Sequence, residues 1–240
     1  MSNGKSTTRP AGEFRLSVVK TAADAEALSH LNKEEKQMAV NNLKKVPPSD
    51  GWYMMGNDPE LQAFWAMMER EFTAFLHPDF QGIPFSPMNL MTIAIAKLTG
   101  SEYQYGLLAT LTATQLPVYD KSDEAAKLAF LDDPDAKIWS EEEALSIKFA
   151  KACFERSWTD ELFEQARAKW GEKMVLRYIS WVGFVEMWAM LIEALGMNYM
   201  PEAMDSPPVP PAAVEHVTNM FKSMRPEMVK VWENLPEFGG

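Results

Sequence analysis

The chain contains one cysteine, Cys153, and three histidines among its 240 residues. A single cysteine excludes an internal disulfide and a Cys-x-x-Cys redox pair, and it suits a reducing cytoplasm, which is where we expect the protein. The histidines lie far apart in the sequence, without the short spacings of metal-binding helices, so no metal site is predicted. Glycine-rich phosphate loops and the Gly-x-Ser-x-Gly signature are also missing, and we expect no cofactor.

Basic clusters and long hydrophobic runs are scarce as well. The chain has 23 Lys and Arg against 34 Asp and Glu, a net charge of −11, which disfavours a nucleic-acid partner because phosphate binding needs clustered basic residues. The most apolar stretch, 174–197, is interrupted by Arg177, Glu186 and Glu193. We therefore expect a buried helix there and no membrane partner. Residues 1–20 lack the apolar core of a secretory signal and are predicted to form a mobile arm.

Helix start and stop signals recur along the chain. Asp58 and Ser86 each precede a proline, the arrangement of an N-cap followed by proline at the first helical position. Gly171 is placed to end one late helix and let another begin. No segment shows the alternation of a strand, so the sequence predicts an all-α fold. We expect a single domain over 21–200, then a proline linker and a C-terminal helix over 201–240.

Two segments of this predicted domain resemble a known family. They are AKLTGSEYQYG at 96–106 and RYISWVGFVEMWAMLIEALGM at 177–197. Together with the order of helices over 55–200, they resemble the carboxymuconolactone decarboxylase-like, or alkylhydroperoxidase D-like, superfamily. The resemblance implies a helical domain of that type with an N-terminal helical extension and a C-terminal helix. It also implies a cofactor-independent enzyme that acts on a small aromatic or lactone-type acid by decarboxylation or a related lyase step.

The chain departs from the family where the family's chemistry lies. At the positions of the two cysteines and the histidine of the peroxidase branch it has Ser101, Gln104 and Leu108. Serine and glutamine cannot form a disulfide, so we do not expect peroxidase activity. A glutamate common in the preceding helix of relatives corresponds to Asn89. The alternative is therefore a non-catalytic small-molecule-binding or assembly protein that retained the fold.

The candidate catalytic residues are Glu102, Tyr103 and Glu186. Glu102 lies in the first turn of its predicted helix, where it either stabilises the helix dipole or anchors a substrate at the mouth of a pocket. Tyr103 is either a core aromatic residue or a hydrogen-bond donor to a bound substrate. The candidates for substrate binding are Asn89, Tyr105, Leu108 and Trp181, with Leu107 and Leu111 as further pocket wall.

Glu186 is surrounded in sequence by large apolar residues that go all round its helix, and we expect that helix to be buried on every side. A lone ionised carboxylate is costly in such a place, so it needs a partner or a raised pKa. Glu186 is either a structural partner, such as one half of a subunit ion pair with Arg177, or a proton-transferring group tuned by burial.

Tryptophan and methionine are abundant, with 8 and 17 copies. These residues fill cores and also subunit contacts. Because the chain carries more of them than its helices need for one core, we expect a homo-oligomer. The family resemblance implies a trimer or a hexamer. A pocket next to Glu102 and Tyr103 would favour an enzyme, whereas the same space filled by Trp, Met and Leu side chains would favour the binding protein.

Overall fold

The computed structural model describes residues 14–46, 49–76, 79, 81–197 and 210–234. Within these ranges all regular secondary structure is helical, which confirms the predicted all-α class. The α-helices are α1 (Ala22–Ala27), α2 (Lys33–Asn42), α3 (Asp50–Met54), α4 (Pro59–Phe75), α5 (Pro87–Leu98), α6 (Glu102–Gln115), α7 (Glu141–Glu155), α8 (Asp160–Leu195) and α9 (Pro211–Glu233). Short 3₁₀ segments cover Met55–Asn57, Leu116–Tyr119 and Ser122–Phe130.

The helices begin and end where side chains can satisfy their free backbone groups. The side chain of Asp58 accepts a hydrogen bond from the Leu61 N–H at the start of α4, and Ser86 caps α5 in the same way. Each of these caps satisfies an N–H that has no partner inside the helix. Gly171 interrupts α8 with a φ of 77°, a left-handed conformation that glycine adopts without steric cost. The predicted break at Gly171 is therefore confirmed.

Helix α5 forms the centre of the core. It packs against α6, α7 and α8, and every residue from Met88 to Ala96 is buried. A helix that is apolar on all sides, as α5 is, can be stable only when neighbours surround it. The end of α5 that bears Ser86 therefore has a fixed position relative to the three helices around it.

The second half of α8, after Gly171, is buried on one face only. Trp181 and Val185 face the core with 2 % and 3 % of their surface exposed, whereas Leu176 and Met190 are 66 % and 65 % exposed. The prediction that this helix is buried on every side is wrong. By length and composition α8 is long and apolar enough to cross a membrane, but a core helix passes the same test, and 44 % of its most apolar window is buried inside the fold.

The two ends of the described chain both pack on the helical domain. Val19 is fully buried, and its N–H donates to the Tyr53 carbonyl at 3.1 Å, so the prediction of a mobile arm is wrong for residues 14–20. Residues 1–13 lie outside the described residues, as do 201–209 of the predicted proline linker. Helix α9 packs on α4, where Arg225 lies 3.9 Å from Glu71.

A buried ion cluster joins the third 3₁₀ segment to α7. Lys127 Nζ lies 2.8 Å from Glu143 Oε1 and 2.6 Å from Glu124 Oε2, and it sits 5.2 Å from the ring centroid of Phe85. Burial is the largest single influence on the pKa of Glu143 and works to raise it, but the hydrogen bond and charge of Lys127 and the hydrogen bonds with Ser140 together hold that pKa below its usual value. We call these three charged residues the Lys127 cluster.

Candidate functional site

A cavity of about 220 Å³ lies among α3, α4, α5, α6 and the second half of α8. This volume is below the range of about 300–1,000 Å³ that is usual for drug-sized ligands, so the cavity suits a small molecule. One wall is aliphatic and comes from α6, with Leu107, Leu108 and Leu111. The space beside Tyr103 is therefore open rather than filled by core side chains.

Another part of the lining is aromatic and comes from α3, α6 and α8. It contains Trp52, Tyr103, Trp181, Phe184 and Trp188. The rings of Trp52 and Trp188 have centroids 5.1 Å apart and are tilted by 36°. Gly51 brings α3 close to this wall, because a Cβ at that position would lie 3.2 Å from Trp188 Cζ2. The absence of a side chain on Gly51 lets Trp188 occupy its present place.

Glu69, on α4, is the carboxyl residue that lines the cavity. Burial raises its pKa to about 7, and the positive charge of neighbouring Arg70 offsets only part of that effect. The Arg70 guanidinium donates to the Lys45 carbonyl. A carboxyl group with a pKa near 7 can both give and take a proton at neutral pH, which is the property that acid–base catalysis requires.

Several hydrogen bonds fix the polar groups of the cavity wall. Trp181 Nε1 donates to Thr92 Oγ1 at 2.8 Å, and the Thr92 hydroxyl donates to the Met88 carbonyl at 2.6 Å. Gln104 Oε1 is buried and has no hydrogen-bond partner among the described residues. A buried acceptor without a donor costs free energy, so Gln104 offers a bound molecule a place for an N–H or O–H.

Tyr103 lines the cavity from the first turn of α6, and 4 % of its surface is exposed. Burial raises its pKa to about 12, with a smaller contribution from the nearby charge of Asp50. The phenol therefore keeps its proton at neutral pH and can donate a hydrogen bond. Leu108 and Trp181 also line the cavity, so these three of the predicted site residues lie at one place.

The other residues predicted on α5 and α6 do not line the cavity. Glu102 is exposed at the start of α6, and Tyr105 lies beneath Lys97 Nζ, which is 5.6 Å from the ring centroid. Asn89 is buried and structural, because its Nδ2 donates to the Gln81 carbonyl at 2.8 Å and to Thr112 Oγ1 at 3.0 Å. Asn89 thereby holds the loop before α5, rather than a substrate.

Glu186 lies on the side of α8 that faces away from the cavity. Its Oε1 and Oε2 accept hydrogen bonds from Nη1 and Nη2 of Arg156 at 3.2 and 3.1 Å, and its side chain is 22 % exposed. The expectation of a carboxylate enclosed on all sides is therefore wrong. The predicted partner was Arg177, but the structure shows Arg156, at the end of α7, in the same chain. This ion pair favours the structural alternative for Glu186.

Cys153 is buried on α7. Burial raises the pKa of its thiol to about 12, with a further contribution from the charge of Glu186. A thiol with so high a pKa is a poor nucleophile at neutral pH. Among the described residues, no group of three or more His, Cys, Asp or Glu side chains is placed to hold a metal ion.

Sequence reasoning missed Glu69 and noted Gln104 only as the replacement of a cysteine. A signal for Glu69 is present in α4, because Trp65 and Phe72 lie four residues before it and three residues after it. Residues at these spacings share a helix face, so Glu69 is a carboxylate on an apolar face. For Gln104 the sequence held no signal beyond that replacement, since its unpaired oxygen depends on how the helices pack.

No protein-family model, curated protein or solved structure matches this chain. The resemblance to the carboxymuconolactone decarboxylase-like superfamily therefore stays a prediction. What the protein does must be argued from the cavity and its chemistry, because a fold by itself does not define an activity.

Proposed function

We propose that this protein is an enzyme that binds a small molecule in the cavity and removes a proton from it through Glu69. The observation that carries the proposal is a carboxyl group with a raised pKa on the wall of a small, partly polar cavity. Such groups are typical of sites where a proton is moved. Glu69 thus takes the role that the sequence suggested for Glu102 and Glu186.

The proposed step is removal of a proton from carbon next to a carbonyl group, the first half of a cofactor-independent lyase reaction of the kind implied by the family resemblance; the enolate formed would then expel the leaving group. The Glu69 carboxylate takes a proton from the substrate, and the electron pair left behind moves towards a carbonyl oxygen. The Tyr103 hydroxyl, which keeps its proton, donates a hydrogen bond to the negative charge that develops there. A donor held in place before the reaction stabilises such a charge more than water does.

The charged residues in the cavity wall change the substrate class that we expect. Its described lining contains one carboxyl residue, Glu69, and no lysine, arginine or histidine. An anionic substrate would find no counter-charge in this wall, and burying an uncompensated charge is costly. We therefore propose a neutral or positively charged substrate instead of the small acid suggested by the resemblance. Decarboxylation, which starts from a carboxylate, becomes less favoured than a related lyase step.

The test compares Glu69→Gln with Glu102→Gln on a panel of small lactones, keto compounds and amino ketones, with turnover followed by NMR. Glutamine keeps the shape of glutamate but cannot move a proton, so the rate should fall by about 10²–10⁴ in Glu69→Gln. The exposed Glu102 serves as the control and should leave the rate within a few-fold. A Glu69→Gln variant with full turnover would refute the role of Glu69.

The alternative is a non-catalytic protein that binds its ligand without changing it. Leu108 at the position of the family's histidine, together with the aliphatic wall from α6, supports it. In that case a compound that binds to the wild-type protein should be recovered unchanged, and solvent deuterium should not enter it. Proton removal by Glu69 predicts the opposite, because the abstracted hydrogen exchanges with solvent.

We also propose that the homo-oligomer forms through α8. Leu176, Ile179 and Met190 are exposed on one face, and a Cβ at Gly183 would have no atom within 4 Å. Leu176 and Met190 are each seven residues from Gly183, so a two-fold axis there brings each against the other in an isologous contact. Light scattering of wild type and Leu176→Lys tests this proposal. A wild-type mass of 27.2 kDa, that of the monomer, would refute it.

A further inference from the structure

The composition of the cavity wall indicates the charge of its ligand. Five aromatic side chains line it, together with the carboxyl group of Glu69, and its described lining has no basic residue. The face of an aromatic ring carries negative potential and attracts cations, most strongly in tryptophan. Both the aromatic and the acidic part of the wall therefore favour a positive charge in the cavity.

The rings of Trp52 and Trp188 are inclined to each other and do not stack in parallel. Trp188 is tilted by 36° against Trp52, with a centroid separation of 5.1 Å. Trp188 is also partly exposed. Rings set at such angles can contact two sides of a compact group at once. Substituted ammonium groups are compact, and aromatic cages of this kind are a known way of binding them.

One polar group of the wall has an acceptor that the described part of the fold leaves without a donor. The indole N–H of Trp181 and the hydroxyl hydrogen of Thr92 are both used within the fold. Gln104 Oε1, by contrast, is a buried acceptor with no partner among the described residues, and Glu69 in its ionised form accepts only. A ligand that brings an O–H or N–H satisfies Gln104 Oε1, whereas an anion without a donor does not.

We propose that the cavity binds a small organic cation, a substituted ammonium compound that also carries a hydroxyl or N–H group. Its alkyl groups contact Trp52 and Trp188, Glu69 supplies the counter-charge, and Gln104 Oε1 accepts its hydrogen bond. The inference rests on the proposed function insofar as both place the ligand in this cavity. The two agree chemically, because a bound cation favours the ionised form of Glu69, which is the form that accepts a proton.

Three probes of similar size and different charge test the inference on the full-length chain at pH 8. They are choline, 3,3-dimethylbutan-1-ol, which replaces the nitrogen of choline by carbon, and benzoate. Calorimetry and tryptophan fluorescence measure affinity. We expect choline to bind at least ten-fold more tightly than the alcohol, and benzoate to bind most weakly. Glu69→Gln should lower the affinity for choline at least ten-fold and leave that for the alcohol within two-fold.

Two further variants keep the test decisive. Gln104→Leu should weaken choline several-fold, and Glu102→Gln, on the exposed face of α6, should change nothing. Binding of the alcohol or of benzoate at least as tight as that of choline would overturn the cation inference while supporting the cavity as a ligand site. If none of the three probes binds at millimolar concentration, the cation inference is overturned, and the turnover comparison of wild type with Glu69→Gln still decides the proposed function.

Discussion

The surroundings of two glutamates of the fold shift their pKa values in opposite directions. Glu143 accepts hydrogen bonds from Lys127 at 2.8 and 2.9 Å; these bonds, the charge of Lys127 and the hydrogen bonds with Ser140 together overcome burial and keep its pKa low. Glu69 lines the cavity, where burial outweighs the charge of Arg70 and raises its pKa to about 7. A carboxyl group whose charge its surroundings favour stabilises the packing of two segments, and one whose charge burial disfavours, on the wall of a cavity, is a candidate for chemistry.

The largest expected effect comes from removing the cation of the Lys127 cluster. Lys127→Met leaves Glu124 and Glu143 without their cation, and removing one member of a buried ion pair typically costs about 3–5 kcal/mol. We expect a loss of that order in the free energy of unfolding, measured by urea denaturation. The control is Lys148→Met, since Lys148 and its partner Asp135 are both exposed. Equal losses in the two variants would show that the cluster has no special role.

The second prediction concerns the pH dependence of stability. The pKa of Glu69 is about 7 in the folded chain against an ordinary value of 4.5, so the folded state holds the proton more tightly. Its contribution to stability is full below about pH 4.5 and is lost as the pH rises towards 7, by at most about 3 kcal/mol. Glu69→Gln should therefore gain stability relative to wild type between pH 5 and 8.

Asp79 also contributes to the pH dependence of stability, and its contribution must be separated from that of Glu69. Burial also raises the pKa of Asp79 to about 6, so the wild-type curve contains both losses. Because Asp79 is present in both proteins, the difference between wild type and Glu69→Gln isolates Glu69. Urea denaturation at pH 5, 6, 7 and 8 measures that difference. Parallel curves for the two proteins would mean that Glu69 titrates normally and would remove it from the proposed mechanism.

A smaller effect is expected at the Glu186–Arg156 pair. Arg156 is 69 % exposed, and ion pairs near the surface contribute little to stability. Glu186→Gln should shift the melting temperature by no more than about 3 °C and leave turnover or ligand affinity within a few-fold. Differential scanning calorimetry and the binding assay measure both. A large loss of function with an unchanged melting temperature would restore Glu186 as a catalytic candidate.

The smallest expected effect is that of Glu102→Gln. Glu102 is exposed in the first turn of α6, where its charge favours the helix dipole by less than about 1 kcal/mol. The melting temperature should fall slightly in low salt and less in high salt, because exposed charges are screened. A melting temperature that is unaffected by salt would leave Glu102 without the helix-end role that we assign to it.

The fold class and most helix limits could be predicted because they depend on local rules. The caps at Asp58 and Ser86 and the break at Gly171 need only the residues beside them. The burial of α8 could not be predicted in this way. Its apolar residues go all round the helix, and periodicity does not show which face meets a neighbour. The outcome was one exposed face, with Met190, and one buried face, with Trp181.

The candidate site could be predicted only in part, because some of its contacts depend on how distant helices pack. Tyr103, Leu108 and Trp181 line the cavity as expected, although their functional roles stay predictions. Arg156 was missed as the partner of Glu186 because the two lie thirty residues apart and meet only through the packing of α7 on α8. Glu69 was missed because its cavity exists only where α3, α4, α5, α6 and α8 come together.

A substitution at Gly51 would change the size selectivity of the cavity without changing the polar groups that line it. A methyl group there would lie 3.2 Å from Trp188 Cζ2, closer than ordinary contact, and 3.4 Å from Met197 Cε. The indole of Trp188 would have to move by a few tenths of an ångström, and the direction of that movement would set the width of the cavity. Gly51→Ala would therefore change the size of ligand that the cavity accepts, and every polar group of the cavity would stay in place.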